Sequence, residues 1–337
     1  VPPGGGGGGA SAGGGAGGTG GGGSAGGGDF FGGVGGGAGG RRFAARLGYS
    51  LAEAGEDYYE AYEFILSYAL TRNYLLRLTV PYRSIDGHRL NEFGMMTRGY
   101  SQSGMGDISL FCWYNILRSG NASSTSNEKS ESNTEEKNKE TKTERENGKK
   151  KKKKEQPWRF MIGVGAKLPT GESDAKVMNE YVPAYYQVGS GTTDLLAGAS
   201  CEKDWGWTDF YEQIIFHYIP GRNDIDYKRS NRIYIDVGQK FLLHEPTKTK
   251  FKIGLSDVYI LNDNWDGLDN SGTLLGPRIG SVKGTKGHYL YASTGFSVSP
   301  TDNLGFDLGF RLPLNKKDED SEQSLDYIVS MAVTFKF

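Results

Sequence analysis

Apolar residues return at every second position through most of the chain after residue 40. The closing stretch, YIVSMAVTFKF, sets Tyr327, Val329, Met331, Val333, Phe335 and Phe337 on one face and Ile328, Ser330, Ala332, Thr334 and Lys336 on the other. A period of two marks a β-strand with one apolar face. The same alternation runs through RRFAARLGYSL, YEFILSYAL, YLLRLTVPYRS, GDISLFCWYNI and WRFMIGVGAKL. It is cleanest in NLGFDLGFRLPL, where Leu304, Phe306, Leu308, Phe310 and Leu312 oppose Gly305, Asp307, Gly309, Arg311 and Pro313. TDLLAGASCE, TDFYEQIIFHYI, RIYIDVGQKFLL, FKIGLSDVYIL and GHYLYASTGFSV follow it less regularly. The pattern predicts about 12 strands, each near the 9–11 residues that a tilted strand needs to cross a bilayer.

Alternation alone fits two architectures. A soluble sandwich turns the apolar face inward; a membrane barrel turns it to lipid and lines a lumen with the polar face. Three features favour the membrane. Aromatics sit at the ends of apolar stripes (Tyr74, Tyr82, Trp158, Tyr327, Phe335 and Phe337), as in an interfacial girdle. The polar faces carry Gly and Ser beside charge, as a narrow interior requires. Short turns such as LTRN, EKDWGW, HEPTKTK and SPTDN alternate with longer polar loops. The expected fold is therefore all-β: a transmembrane antiparallel up-and-down β-barrel of about 12 strands, of the bacterial outer-membrane type.

Composition changes this picture in two places. Gly totals 53 residues, and they crowd residues 1–40, where no side chain offsets the entropy of ordering. That segment reads as a disordered Gly-rich tail, and its GxGxxG matches follow from composition alone. Residues 119–156 hold almost no apolar side chain and include the lysine run Lys149 to Lys154. This reads as a disordered charged insertion in a periplasmic turn of a barrel spanning 41–337. The opening VPPGGGGGGA lacks a basic region followed by an apolar core, so any export signal is expected to have been removed before it. A mean hydropathy of -0.53 and the lack of a long apolar run argue against a membrane-spanning helix, not against a barrel.

A net charge of -1 gives no global field that would recruit nucleic acid. Cys112 and Cys201 match no metal or redox spacing, and strands two apart would hold them roughly 10 Å apart, too far for a disulfide. No motif asks for a cofactor. Running the last strand inward puts the C-terminus, the tail and the insertion in the periplasm, and loops 84–104, 171–190, 220–229, 262–287 and 314–325 outside. The expected pore-lining residues are Arg46, Glu63, Arg77, Arg83, Asp107, Lys167, Asp194, Asp236, Asp307 and Arg311. Their interleaved signs fit either an ion-pair network filling the barrel or a polar passage with charge selectivity. His88, His217, His244 and His288 lie beside no recognisable Ser/Asp pattern, so an outer-membrane hydrolase is the weaker alternative and no enzyme activity is expected. Asn262, Asn264 and Asp266 resemble half a calcium loop, but Thr273 stands where a bidentate Glu belongs, and such clusters are first of all turn formers.

Several stretches go further. LTVPYRS, GMGDISLFCWYNIL (104–117), GVGAKLPTGESD (163–174), VGSGTTDLLAGAS (188–200) and NLGFDLGFRLPL (303–314) together resemble the outer-membrane β-barrel family named for transport in the meta-pathway of phenol degradation. KLPTG followed by GSGTTD is the most specific pair. The Gly tail and the insertion after Leu117 depart from that pattern. The resemblance implies a Gram-negative outer-membrane channel or transporter that takes up hydrophobic or aromatic compounds passively. The last strand likewise resembles the assembly signal of such proteins, carried here by Tyr327, Val333, Phe335 and Phe337. Expected partners are outer-membrane lipid and lipopolysaccharide, the barrel-assembly machinery and a small-molecule solute. The alternative is a scaffold that recruits a partner through its periplasmic tail and insertion. KLPTG itself reads as a strand end, with Gly171 supplying a conformation other residues resist.

Overall fold

A computed structural model describes residues 43–54, 57–71, 73–90, 96–118, 158–177, 180–181, 187–223, 227–261, 264–265, 280–281, 287–315 and 327–337. The tail, the charged insertion, Asn262, Asp266 and the side chain of Asn264 lie outside the described residues. The wall strands are β1 (Phe43–Ala54), β2 (Asp57–Ala69), β3 (Tyr74–Leu90), β4 (Met96–Met105, resuming as Ser109–Arg118), β5 (Arg159–Lys167) and β6 (Asp194–Asp204). They continue as β7 (Thr208–Tyr218), β8 (Arg232–His244), β9 (Thr249–Ile260), β10 (Gly287–Val298), β11 (Leu304–Asn315) and β12 (Tyr327–Lys336). Each pairs antiparallel with its neighbours in sequence, and β12 pairs with β1, so the sheet closes into a barrel of 12 strands. Closure leaves the wall without an open edge, the condition for crossing a bilayer with strands.

The two faces of the wall decide its environment. Val164 and Leu47 point outward and are 67% and 56% exposed, while the inward Asp194 is wholly buried at 0%. Arg77, Arg83, Lys167, Arg232, Lys240 and Lys252 are buried with it. An apolar outside around a charged inside is the inverse of a soluble core, and it matches lipid without and a lumen within. The terminal strand obeys the same rule: Phe335 and Phe337 face outward, the Phe337 amide donates to the Phe43 carbonyl at 2.9 Å, and the two rings lie 5.7 Å apart.

Part of the lumen is packed like a core. Phe111, Trp113, Met161 and Leu196 bury one another on the inner face of β4, β5 and β6. The two aromatic rings lie 4.6 Å apart and lean sideways across the next strands. A Cβ at Gly163 would fall 2.8 Å from Trp113 Cε3, and one at Gly198 would fall 2.9 Å from Trp113 Cη2, so glycine is required where the indole crosses the wall. A second apolar group, Ala52, Ile260, Tyr289, Tyr291 and Ile328, sits on the opposite arc.

One expectation is corrected. The loop placed at 84–104 is mostly strand: β3 runs to Leu90 and β4 begins at Met96, with Ser84 paired to Ser103 and Asp86 to Ser101. These residues are polar on both faces, so no apolar period marks them. Backbone pairing continues past the apolar band, where an outward Ser101 or Ser103 meets water rather than lipid.

Candidate functional site: the lumenal charge network

The ladder of the wall is interrupted within β4. Between the two segments of β4, Gly106, Asp107 and Ile108 leave the ladder and turn Asp107 into the lumen. Thr170 repairs the gap: its hydroxyl donates to the Gly106 carbonyl at 3.0 Å and accepts from the Ile108 amide at 2.9 Å. Gly106 in turn donates to the Pro81 carbonyl at 2.8 Å. The Thr of KLPTG thus substitutes for a missing rung.

Asp107 then gathers a distant loop. Its Oδ2 accepts from Ser190 N at 2.8 Å, Ser190 Oγ at 2.5 Å and Lys167 Nζ at 3.0 Å, while Oδ1 accepts from Gly171 N at 3.1 Å. Lys167 Nζ also donates to Ser190 Oγ at 2.8 Å and lies 2.5 Å from Asp194 Oδ2. Asp194 continues the chain: Thr192 Oγ1 donates to its Oδ1 at 2.7 Å, and His217 Nε2 meets its Oδ2 at 2.8 Å. A carboxylate as acceptor makes Nε2 the protonated nitrogen of His217. Two carboxylates, one lysine and one imidazole therefore bind residues 187–194 to the inner wall. Buried ions persist only when paired and hydrogen-bonded to this degree.

Backbone packing explains the glycines of these motifs. A Cβ on Gly171 would lie 2.7 Å from Gly189 Cα, 2.9 Å from the Met105 carbonyl and 3.0 Å from Gly106 Cα. Gly171 is therefore needed for close approach; the positive-φ glycines among the described residues are Gly191 and Gly206. This corrects the expectation of a special backbone conformation at Gly171. The loop is further held by Arg229 Nη2, which donates to the Gly189 carbonyl at 3.0 Å, and by Gln187 Oε1, which accepts from Ala175 N at 3.1 Å.

A second group of charges faces the other arc. Arg311 Nη2 lies 3.6 Å from Asp236 Oδ1, which also accepts from the Ser256 hydroxyl. Lys252 Nζ donates to Asp307 Oδ1 at 2.7 Å, and Arg46 Nη2 lies 3.9 Å from Asp307 Oδ2. The floor beneath these bridges is built of small residues: Gly254 pairs with Ser293, Gly295 with Gly309, and Gly309 with Ser330. Ser256, Ser293, Gly295, Gly309 and Ser330, with Asp236, Lys252, Asp307 and Arg311 above them, line a partly open cavity of about 30 Å³. That volume is enough to hold water.

All ten pore-lining candidates thus point inward, but they divide. Asp107, Lys167 and Asp194 bind the loop; Arg46, Asp236, Asp307 and Arg311 bridge the small-residue arc; Arg77, Arg83 and Glu63 lie between, within electrostatic reach of Arg46 and Asp107. Sequence reasoning missed Ser190, Thr192 and His217. His217 shares the inward parity of Ile215 and Tyr211, the one signal that could have placed it. Among the described residues its Nδ1 has no hydrogen-bond partner.

No protein-family model matches the chain, and no curated protein matches it. Among solved structures it is similar to the COG4313 outer membrane channel from Pseudomonas putida F1, at 11% identity and a TM-score of 0.53, covering 88% of this chain and 96% of that one. Weaker likenesses are to the NanC porin (9% identity, TM-score 0.45, 88% and 100% covered) and the CymD monoaromatic hydrocarbon channel (9%, 0.42, 88% and 89%). At this identity the first likeness speaks for architecture, and it agrees with the strand order. The chain folds as a closed, antiparallel, outer-membrane-type β-barrel.

Proposed function

We propose that the protein is a bacterial outer-membrane channel for the passive passage of small molecules, with hydrophobic or aromatic compounds as its solutes. The observation that carries this reading is the inverted wall: an apolar exterior around a charged, hydrogen-bonded interior whose small-residue arc bounds a cavity. Selectivity in such a lumen is set by wall charges, here Asp236 and Arg311 beside Lys252 and Asp307. Arg311 and Lys252 stand over this floor, bridged to Asp236 and Asp307, where a solute following the arc would meet them. The motif resemblance and the lumenal rings of Phe111, Trp113, Tyr211 and Tyr291 support an aromatic solute. The end carrying Phe337 faces the periplasm in this reading, with the tail and the 119–156 insertion there, and the loop bound by Asp107 lies toward the outside.

Single-channel conductance of the refolded chain in a planar bilayer tests it, with and without residues 119–156 and with aromatic solutes added as blockers. Steady conductance that an aromatic solute blocks is expected. A folded barrel that stays electrically silent in both forms would refute the open channel.

A further inference from the structure

His217 ends the chain of contacts that starts at Asp107, and imidazole is the one group in that chain that ordinarily titrates near neutrality. It points from β7 into the lumen and is 2% exposed. Its Nε2 donates to Asp194 Oδ2 at 2.8 Å, and Lys167 Nζ lies 2.5 Å from the same oxygen. The neutral ring thus uses its one N–H on Asp194, and Nδ1 has no partner among the described residues. His244 and His288 differ: both are exposed, beside Thr247 and Asp257, so neither is trapped in this way.

A second proton on this ring meets two obstacles. Bound to the Nδ1 lone pair, it makes a buried, charged donor with no acceptor beside it among the described residues. It also sets an imidazolium and an ammonium on one carboxylate oxygen. The neighbouring strands do not offset this. Arg232 stands across from His217 on β8, Arg229 faces Lys167, and Arg83 faces both Asp107 and Arg232. The carboxylates that answer these cations, Asp107 and Asp194, already accept from Lys167, Ser190 and Thr192. Lys167 joins Asp107, Ser190 and Asp194, so repelling its ammonium loosens the whole attachment of residues 187–194.

We infer that His217 is an acid-sensitive catch for the loop of residues 187–194: a neutral ring lets the loop close on the inner wall, and a proton taken from solvent at Nδ1 releases it into the lumen. The sign follows from where the proton can be accommodated. With the loop bound, the imidazolium is buried against Lys167; with the loop released, water solvates both nitrogens. Acid therefore favours release, and the bound loop is secure above the ordinary histidine range and lost as pH falls through it. The consequence for current rests on the channel reading above; the release of the loop does not.

Two readouts on the refolded full chain test this between about pH 8 and pH 5, above the ordinary carboxylate range. The first is hydrogen exchange of the peptide spanning 187–194, corrected for the chemical exchange rate. The Gly189 and Ser190 amides, bonded to the Glu172 carbonyl and to Asp107, report the bound loop. Their exchange should quicken in acid by up to about tenfold per pH unit, the slope for one proton, while the β11 amides hold steady. The second is bilayer current, which should grow larger and noisier over the same range. His217→Gln, whose amide can still donate to Asp194 but takes no proton, should lose both responses. A wild-type loop whose exchange ignores pH would overturn the inference, as would an equal acid response in His217→Gln. A barrel that is electrically silent but whose loop exchanges faster in acid would support the catch and refute the channel.

Discussion

Ser190 is bound twice by Asp107, through its hydroxyl at 2.5 Å and its amide at 2.8 Å, although 83 residues separate them in the chain. One carboxylate at a break in β4 therefore fixes a loop that enters from the far side of β5. Asp107→Asn keeps the shape but removes the charge that faces Lys167. It should lower the unfolding free energy by about 3 kcal/mol, the low end for a broken buried pair because Asp194 still faces the lysine. Urea unfolding in vesicles followed by tryptophan fluorescence measures this, and bilayer recordings should show a noisier, larger current as the loop loosens.

Gly189→Ala tests backbone contact without touching charge. Its Cβ would press on the backbone of Gly171, so the loop must shift. The expected loss is about 1–3 kcal/mol, the range for overpacking. Ser190→Ala, which removes a hydroxyl but adds no bulk, should leave the Gly171 contact intact, and the double variant should be additive only if the two effects are independent.

Trp113 is 1% exposed and spans the wall onto Gly163 and Gly198. Trp113→Ala should cost about 3–5 kcal/mol through lost burial and an unfilled cavity. The space it vacates adjoins the lumen, so conductance should rise even as the denaturant midpoint falls. A midpoint that holds would mean that the ring contributes little to packing.

Arg311 and Asp236 make opposite demands on ions. Removing the cation with Arg311→Gln should raise the cation-to-anion permeability ratio, and Asp236→Asn should lower it, each read as a shift in reversal potential across a salt gradient. Matching shifts from both variants would argue that they act through a structural change rather than as fixed charges on the path.

Phe337 ties β12 to β1 through the Phe43 carbonyl and ring. Phe337→Ala should reduce the folded, heat-modifiable form recovered from the outer membrane while refolding into detergent changes little. That difference would separate recognition during assembly from intrinsic stability.

The wall was legible in the sequence because lipid and lumen make opposite demands on alternate residues. In β11, Leu308 and Phe310 face out while Asp307, Gly309 and Arg311 face in, as their parity required. Legibility failed where one demand lapsed. Ser101, Ser103 and Ser84 belong to strands that pass beyond the apolar band, and without lipid no period remains to reveal them. Tyr289 and Tyr291 follow the period but point inward, so hydrophobicity alone misleads there. The loop binding to Asp107 was unreadable for a different reason. Ser190 and Thr192 belong to the GSGTTD stretch, but their role, like that of His217, emerges only when β5, β6 and β7 are laid side by side.

The two-sided wall gives the chain something like a reading frame. One extra residue inserted after Leu308 would carry Arg311 toward lipid and Leu312 into the lumen, and every later residue of that strand would exchange surroundings unless a bulge absorbed the change. Two extra residues would restore the frame at the cost of height. Changes of length in such a protein should therefore come in twos within the strands and in any number in the turns between them.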